Sequence, residues 1–276
     1  MTNPREILAE YGLLPKKALG QNFLHDPNAV EKIASIGAQS VDEAVLEIGP
    51  GVGALTEALA KRARRVVAVE LDERLKPILD ERLKPYANVE IVYGNILKQD
   101  PAVVMGADAG NYVVAANVPY YITSAILRHF LEASARPRRL TIMMQMEVAE
   151  KLIAKPGDMS LLTVSVQYYA QAQIVVKFPP AVFYPRPDVS SAVVRLDVHA
   201  QPPVDAPVAA FFRVAKAGFS QKRKQLKNSL GSGLHISAAE AGELCVTAGI
   251  DPQRRPETLT LAEWAALARG WMGRQR

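Results

Sequence analysis

Apolar strand patterns and amphipathic helix patterns alternate between residues 44 and 146 of this 276-residue chain. The strands are predicted at 44–49, 65–70, 89–93, 112–117 and 140–146, and the helices between them at 52–63, 73–84 and 123–133. Such alternation is typical of a parallel sheet with helices on both faces. After a helix predicted at 161–169, two β-rich runs at 173–178 and 192–196 indicate an antiparallel hairpin. We therefore predict an α/β fold around a seven-stranded sheet whose last hairpin is antiparallel.

Three prolines within residues 201–207 indicate a linker, because proline disrupts regular hydrogen-bonded structure. Beyond it every periodic segment predicts a helix, at 208–219, 222–230, 238–248 and 261–271. We expect three parts: an N-terminal extension at 1–40, an α/β domain at 41–198 and a small α-helical domain at 199–276. Residues 18–24 are too polar in the middle for a plain helix, and we expect a loop there that folds against a ligand cleft.

Composition narrows the function classes. No run of 18 apolar residues predicts a membrane span, and the N-terminus lacks the apolar stretch of a secretion signal, so we expect a cytoplasmic protein. The single cysteine, Cys245, excludes an intramolecular disulfide and a multi-cysteine metal site, and the four histidines show no ligand spacing. We expect no metal and no membrane association, and we expect a monomer.

The excess of positive charge lies near the C-terminus. Residues 1–197 carry 22 basic and 22 acidic side chains, whereas residues 198–276 carry 11 basic and 6 acidic ones. Six cations fall within 15 residues that contain no acid: Arg213, Lys216, Lys222, Arg223, Lys224 and Lys227. Such a run is either a solvated helix face or a surface for a phosphate backbone, whose affinity would fall steeply with salt.

A glycine-rich turn, Gly49-Pro50-Gly51-Val52-Gly53, follows the first predicted strand. Glycine permits a tight turn, and main-chain amides at the start of the next helix can approach a ligand. Glu70, at the end of the second predicted strand, suits the binding of ribose hydroxyls. The same residues also fit a dinucleotide-binding fingerprint, so the turn alone does not decide between a dinucleotide and another nucleotide-like cofactor.

The strand predicted at 112–117 ends in Asn117-Val118-Pro119-Tyr120, which offers an amide, a rigid turn and an aromatic ring. The exocyclic amine of adenine is a poor nucleophile because its lone pair is delocalised into the ring. If the Asn117 oxygen and a main-chain carbonyl near Pro119 accept its two N–H bonds, the nitrogen moves toward tetrahedral geometry. Tyr120 could then stack on the base. This arrangement fits methyl transfer to an amine better than it fits hydride transfer by a dehydrogenase.

With these motifs in place, the chain resembles the ribosomal RNA adenine dimethyltransferase family, and within it the small-subunit members, over nearly its whole length. The resemblance depends on Glu70 and on five segments in the same order: 17–24, 47–53, 117–121, 182–191 and 219–230. It implies a Rossmann-like class I methyltransferase sheet that uses S-adenosyl-L-methionine, followed by a C-terminal helical domain that binds RNA through the six cations.

The resemblance also implies roles for single residues in cofactor binding. Asn22 and Leu24 would close over S-adenosylmethionine, Gly49 and Gly51 would pass under its amino-acid part, and Glu70 would bind its ribose hydroxyls. Family members usually carry an acid after the third strand to accept a hydrogen bond from the cofactor's adenine amine. This chain has Asn95 there, which accepts through its amide oxygen without the assistance of a charge.

On the substrate side, the resemblance implies that Asn117 contacts both the cofactor and the target amine, beside the rigid Pro119. Tyr120 would stack on the target adenine, and Phe183 would form the second wall of that pocket. The implied substrate is a pair of adjacent adenosines in the 3′-terminal hairpin of small-subunit ribosomal RNA, within a partly assembled 30S particle. Each adenosine would be dimethylated after it leaves its stack.

Other functions stay open. The large-subunit enzyme that confers macrolide resistance shares the glycine turn, the Asn-x-Pro-Tyr element and the Phe183 loop, whereas segments 19–24 and 222–230 favour the small-subunit type. A second alternative is a ribosome-assembly factor that acts by binding RNA through its C-terminal domain and whose catalysis is incidental. An NAD-dependent dehydrogenase is a third.

Overall fold

The computed structural model describes residues 3–221 and 223–274. The chain forms two compact units, one of Met1–Ala149 with Ala172–Val198 and one of Glu150–Gln171 with His199–Arg276. This division differs from the three expected parts in two places. The first 40 residues group with the sheet, and residues 150–171 group with the C-terminal helices.

Seven strands form the main sheet and two short strands form a separate pair. The strands are β1 Phe23–Leu24, β2 Ala44–Ile48, β3 Arg65–Glu70, β4 Val89–Tyr93, β5 Tyr112–Asn117, β6 Arg139–Gln145, β7 Ala170–Phe178, β8 Phe183–Tyr184 and β9 Ser191–Val198. The main sheet has the order β4-β3-β2-β5-β6-β9-β7. Strands β2 to β6 pair in parallel, and β9 pairs with β6 antiparallel. The predicted seven-stranded α/β sheet with an antiparallel end is confirmed.

The helices are α1 Pro4–Glu10, α2 Pro27–Gly37, α3 Ala54–Ala60, α4 Lys76–Leu83, α5 Pro101–Met105, α6 Thr123–Leu131, α7 Met146–Leu152, α8 Leu161–Tyr169, α9 Val208–Gly218, α10 Leu226–Leu234, α11 Ala238–Thr247 and α12 Leu261–Gly273. The helix predicted at 52–63 begins later because Gly53 has a φ of 85°. The helix predicted at 73–84 begins as a 3-10 turn at Glu73–Leu75, and α4 starts with Pro77 in its first turn.

The central strands read as continuous apolar runs because both faces of the sheet are covered. Val45, Val67 and Val114 are fully buried, each at 0% exposure. The register pairs Ile48 with Val69 and with Ala116, so that β2, β3 and β5 end level with one another. The segments that follow these strands therefore meet at one edge of the sheet, which is where ligands bind in open α/β folds.

Residues 27–37 form a core helix of the first unit and not a peripheral extension. Asp26 caps α2 by accepting a hydrogen bond from the main-chain N–H of Ala29 at 2.8 Å. Val30, Ile33 and Ala34 are buried at 0% exposure on one face of the helix, in a hydrophobic cluster that also contains residues of β2 and β5. The apolar spacing and the Asp-Pro start were readable in the sequence as a helix signal.

The second unit joins α8 to the C-terminal helices. The ring of Tyr168 in α8 lies 4.5 Å from that of Phe211 in α9, centroid to centroid, and both side chains are fully buried. This packing explains why residues 150–171 group with the helices that follow residue 199. The helix predicted at 222–230 begins at Leu226, because the main chain before it forms a turn in which Lys224 N–H donates to the Gln221 carbonyl at 3.0 Å.

Candidate active site

Three glycines shape the turn between β2 and α3. Gly49, Gly51 and Gly53 have φ angles of 71°, 59° and 85°, which other residues rarely adopt. A Cβ atom at Gly51 would lie 2.9 Å from Cδ1 of Phe23. The turn therefore needs glycine for its backbone angles and, at residue 51, because an aromatic ring of the N-terminal segment packs directly on the main chain.

Glu70 ends β3 with its carboxylate almost fully buried, at 5% exposure. Its Oε1 accepts a hydrogen bond from the Asp72 N–H at 2.7 Å, and its Oε2 accepts one from the Gly51 N–H at 3.0 Å. Burial raises the pKa of Glu70, and these two hydrogen bonds offset part of the rise. Each oxygen keeps a lone pair for a further donor, so the carboxylate can accept hydrogen bonds from ligand hydroxyls.

The side chain of Asn117, the last residue of β5, is oriented by the N-terminal segment. Its Nδ2 donates a hydrogen bond to the main-chain carbonyl of Asn22 at 3.1 Å. Because a carbonyl oxygen can only accept, this contact fixes which end of the amide is nitrogen. Within residues 3–221 and 223–274, Oδ1 of Asn117 takes part in no hydrogen bond and remains an acceptor.

Pro119 and Tyr120 follow directly. The Pro119 carbonyl accepts one hydrogen bond, from the Ile122 N–H at 3.2 Å, and keeps one lone pair. The Tyr120 hydroxyl is hydrogen-bonded to Oγ of Ser191 at 2.7 Å, and Ser191 is fully buried at the start of β9. Burial raises the pKa of Tyr120, so its hydroxyl stays protonated at neutral pH. The Tyr120 side chain is thus uncharged, and its hydroxyl end is held by Ser191.

Phe183 packs against the N-terminal segment. Strand β8 pairs antiparallel with β1, and this pairing places Phe183 opposite Leu24. The Phe183 side chain is 3% exposed and belongs to the hydrophobic cluster that contains Leu24 and Val182. It does not line the cleft beside Tyr120. In this arrangement the ring does not face Tyr120 across the cleft, and its role as the second wall of the base pocket stays a prediction.

Asn95 follows β4 and begins a 3-10 turn. Its Oδ1 accepts a hydrogen bond from the Leu97 N–H at 3.0 Å, which caps that turn. The preceding Gly94 has a φ of 145°, and a Cβ atom there would lie 2.6 Å from Nε2 of Gln99. The Asn95 oxygen can accept one further hydrogen bond, although one of its lone pairs is already used.

These residues meet in one cleft of the first unit, with about 1050 Å³ of empty space when the solvent at its open mouth is included. All the predicted cofactor-binding residues line this cleft: Asn22, Leu24, Gly49, Gly51, Glu70, Asn95 and Asn117. Pro119 and Tyr120, which were predicted to bind the substrate, line it as well. The arrangement offers a buried carboxylate, an amide acceptor and a half-buried aromatic ring. It suits a nucleotide-like ligand next to a flat, amine-bearing base.

Sequence reasoning missed Glu47 as a candidate functional residue. This side chain of β2 is 1% exposed, lines the cleft, and has no hydrogen-bond partner for either carboxylate oxygen within the described residues. Burial raises the pKa of Glu47 to about 8, and the negative charge of Glu70 adds to this rise. The nearby Thr56 hydroxyl offsets part of the rise, although its geometry is not that of a hydrogen bond. A lone acid inside an apolar strand was the available signal.

Comparison with known proteins identifies the family. Residues 13–269 match the ribosomal RNA adenine dimethylase family. The chain belongs to this family. A ribosomal RNA small subunit methyltransferase A of Geobacillus kaustophilus is 45% identical over 96% of this chain and 93% of its own length. That of Dehalococcoides mccartyi strain CBDB1 is 44% identical over 99% and 94%.

Solved structures agree with the fold of a dimethylase. A 23S rRNA methyltransferase, ErmE, has a TM-score of 0.71 and 30% identity, and the match covers 90% of this chain and 99% of that one. A dimethyladenosine transferase of Plasmodium falciparum has a TM-score of 0.73 at 22% identity, over 92% and 98%. The predicted family, methyltransferase class and Rossmann-like fold are confirmed. The roles assigned to single residues stay predictions.

The basic run of this dimethylase lies in the second unit. Arg213 and Lys216 are exposed on α9, Arg223 and Lys224 are exposed in the turn before α10, and Lys227 is half-buried in its first turn. Lys222 lies outside the described residues. The Arg213 guanidinium lies 5.6 Å from the Trp271 ring centroid, so part of its surface contacts an aromatic face. Among the described residues, none of the other cations of this run forms an ion pair with an acidic side chain.

Two features are absent from the residues that the structure describes. Among them, no group of three or more His, Cys, Asp or Glu side chains is arranged to hold a metal ion. None of the helices in the same residues has the length and apolar character needed to cross a membrane.

Proposed function

We propose that this dimethylase transfers methyl groups from S-adenosylmethionine to the exocyclic amines of two adjacent adenosines in the 3′-terminal hairpin of small-subunit ribosomal RNA. Four methyl groups would be transferred in total, two to each base. The protein would act in the cytoplasm as a monomer on a partly assembled 30S particle and would thereby take part in subunit biogenesis. The C-terminal cations would contact RNA phosphates, without a metal ion or a membrane.

Features of the cleft fit the cofactor. The bound cofactor would supply an electrophilic methyl group on a sulfonium, together with an ammonium and ribose hydroxyls. The unpaired, buried carboxylate of Glu47 suits the ammonium, because a charged partner removes the cost of burying it. Glu70 keeps acceptor positions for the ribose hydroxyls, and Asn95 keeps one for the adenine amine.

The observation that carries the proposal is the orientation of the Asn117 amide. Its nitrogen is held by the Asn22 carbonyl, and its oxygen is left as an acceptor at the mouth of the sheet. That oxygen and the remaining lone pair of the Pro119 carbonyl can hold the two N–H bonds of an adenine amine. The nitrogen lone pair then turns out of conjugation toward the methyl donor. No strong general base is required, since the product's proton can leave after the attack.

Tyr120 would bind the base itself. Its ring lines the cleft, and the hydrogen bond to Ser191 restrains it against rotation. An extruded adenine could stack on this ring. If Phe183 forms the opposite wall, its ring has to leave the cluster with Leu24 when RNA binds, because it is 3% exposed in the present arrangement.

The choice of the small subunit over the large subunit rests on similarity over the whole chain. The relatives named for the small-subunit RNA are 44% and 45% identical to this chain, whereas the large-subunit enzyme is 30% identical. The test is transfer of tritium from labelled S-adenosylmethionine to small subunits that lack the modification, followed by primer extension. We expect label at two adjacent adenosines near the 3′ end. No incorporation under conditions in which a known dimethylase is active would falsify the proposal.

An assembly factor with incidental catalysis makes a different prediction. Asn117→Ala removes the amide acceptor, so it should abolish methylation. If the variant nevertheless restores full subunit maturation in cells that lack the wild-type protein, RNA binding is the main task. We expect delayed maturation together with unmethylated RNA.

A further inference from the structure

Tyr121 is unusual among the aromatic residues of this chain. Among the Phe, Tyr and Trp side chains of residues 3–221 and 223–274, it is the only one that is exposed, with 67% of its surface in solvent. Its neighbour Tyr120 is half-buried and bonded to Ser191. Tyr121 also lines the mouth of the cleft. Single exposed apolar side chains are common on protein surfaces, but this ring also lies at the cleft, where a flat ligand can stack on it.

The ring rests on the N-terminal segment. Gly20 has a φ of 59°, and a Cβ atom there would lie 3.2 Å from Cε1 of Tyr121 and 3.1 Å from Cβ of Pro119. The main chain of Gly20 therefore covers one side of the Tyr121 ring. The rest of the ring is exposed to solvent. A supported ring loses little conformational entropy when a flat partner stacks on it.

Two cations lie on the same turn as Gly20. The Gly20 N–H donates to the Lys17 carbonyl at 2.9 Å, and Lys16 and Lys17 are both exposed. Residues 11–25 contain no acid. Neither lysine forms an ion pair with any residue in the described ranges. An open aromatic face beside unpaired cations is the arrangement that binds single-stranded nucleic acid, through stacking and phosphate contacts.

We infer that Tyr121 stacks on the nucleobase next to the target adenosine, and that Lys16 and Lys17 contact the phosphates of that strand. The inference rests on the proposed function, because Tyr121 lines the same cleft as Tyr120, the residue proposed to bind the target adenine. For two adjacent adenosines, the base on Tyr121 is the other target. The surface would hold the second adenosine outside the pocket while the first is methylated.

The stacking is tested by steady-state methylation of small subunits that lack the modification. Tyr121→Ala should lower kcat/KM by about 5- to 150-fold, the range for loss of one base stack. Tyr121→Phe and Tyr121→Trp keep a ring and should stay within about twofold of the wild type. Val103→Ala, a matched change at a residue that is 80% exposed in the same unit, should have no effect. Calorimetric affinity for S-adenosylmethionine should be equal in all variants.

The phosphate contacts are tested by salt dependence. Replacing Lys16 and Lys17 together by glutamine should reduce the slope of log kcat/KM against log salt concentration by about 1.4, for two contacts to a single strand. An unchanged slope would overturn these contacts. If the wild type incorporates label and Tyr121→Ala is as active as Tyr121→Phe, the stacking is overturned while the proposed function stands. If the wild type incorporates none, the proposed function itself fails.

Discussion

Replacing Glu47 by glutamine should stabilise the protein and weaken its binding of S-adenosylmethionine. In the folded chain burial raises the pKa of Glu47 to about 8, from an ordinary value of 4.5. At pH 7 folding therefore requires uptake of a proton. This uptake costs about 1.4 kcal/mol for each pH unit above 4.5, or about 3 kcal/mol in total. Glutamine is neutral in both states and has nearly the same shape, so it avoids this cost.

The effect has a definite pH dependence. Well below pH 4.5 the carboxyl is protonated in both states, and the two proteins should differ little in their free energy of unfolding. The contribution of a raised pKa is lost as pH increases, so the wild type should lose stability relative to Glu47→Gln between pH 4.5 and about 8. Above that range the difference should stay constant, with an upper limit of about 5 kcal/mol.

Urea denaturation of both proteins at pH 4, 7 and 9, without ligand, measures this difference. Glu10→Gln is the control, since Glu10 is exposed and its replacement should change stability by less than about 0.5 kcal/mol. Calorimetry at pH 7 should show at least tenfold weaker binding of S-adenosylmethionine by Glu47→Gln, because the ammonium would draw Glu47 into its ionised form and glutamine cannot supply that charge. The reasoning is refuted if Glu47→Gln is less stable than the wild type at pH 7, or if its gain is the same at all three pH values.

Three other predictions concern cofactor affinity, helix packing and the anchoring of the aromatic ring. Asn95→Asp keeps the cap on the Leu97 N–H and adds charge to the acceptor, so calorimetry should show equal or tighter binding of S-adenosylmethionine; a clear loss would contradict that assignment. Gly233→Ala should destabilise the second unit by about 1–3 kcal/mol in urea denaturation, because its Cβ would lie 2.5 Å from a Cα atom of α9. Gly242→Ala, with nothing within 4 Å, should instead stabilise by up to about 1 kcal/mol, and equal effects at the two glycines would refute the packing argument. Tyr120→Phe and Ser191→Ala remove the same hydrogen bond, so each should lower kcat about fivefold and the double variant no further; additive losses would show independent roles.

The residues at the carboxyl edge of the sheet could be predicted from sequence because a parallel sheet imposes their proximity. Gly49, Glu70, Asn95 and Asn117 each follow or end a strand with a clear apolar pattern. Because the strands are parallel and in register, their carboxyl ends lie side by side at one edge of the sheet. Strand patterns were therefore sufficient to bring these four candidates together, whereas Asn22 and Leu24 came only from the family resemblance.

The position of Phe183 could not be predicted in the same way. It depends on β1 and β8, which have two residues each and pair across about 160 positions of sequence. Two residues are too few to show any periodicity. The resemblance implied a place for Phe183 in the wall of the base pocket, whereas the pairing with Leu24 draws the ring into the core. Glu47 was missed for a related reason: its environment, and hence its raised pKa, exists only in the assembled sheet.

The N-terminal segment connects the two halves of the site. Phe23 packs on Gly51 beneath the cofactor region, and the Asn22 carbonyl holds the amide that would orient the target amine. Any movement of residues 22–24 away from the cleft would break the hydrogen bond to Asn117, and the amide could then rotate its nitrogen toward the target. If residues 22–24 close over the cofactor as predicted, that closure and the orientation of the acceptor would depend on the same few residues. We predict that the site accepts the amine only when residues 22–24 lie against the cleft, because the Asn22 carbonyl then orients the Asn117 amide.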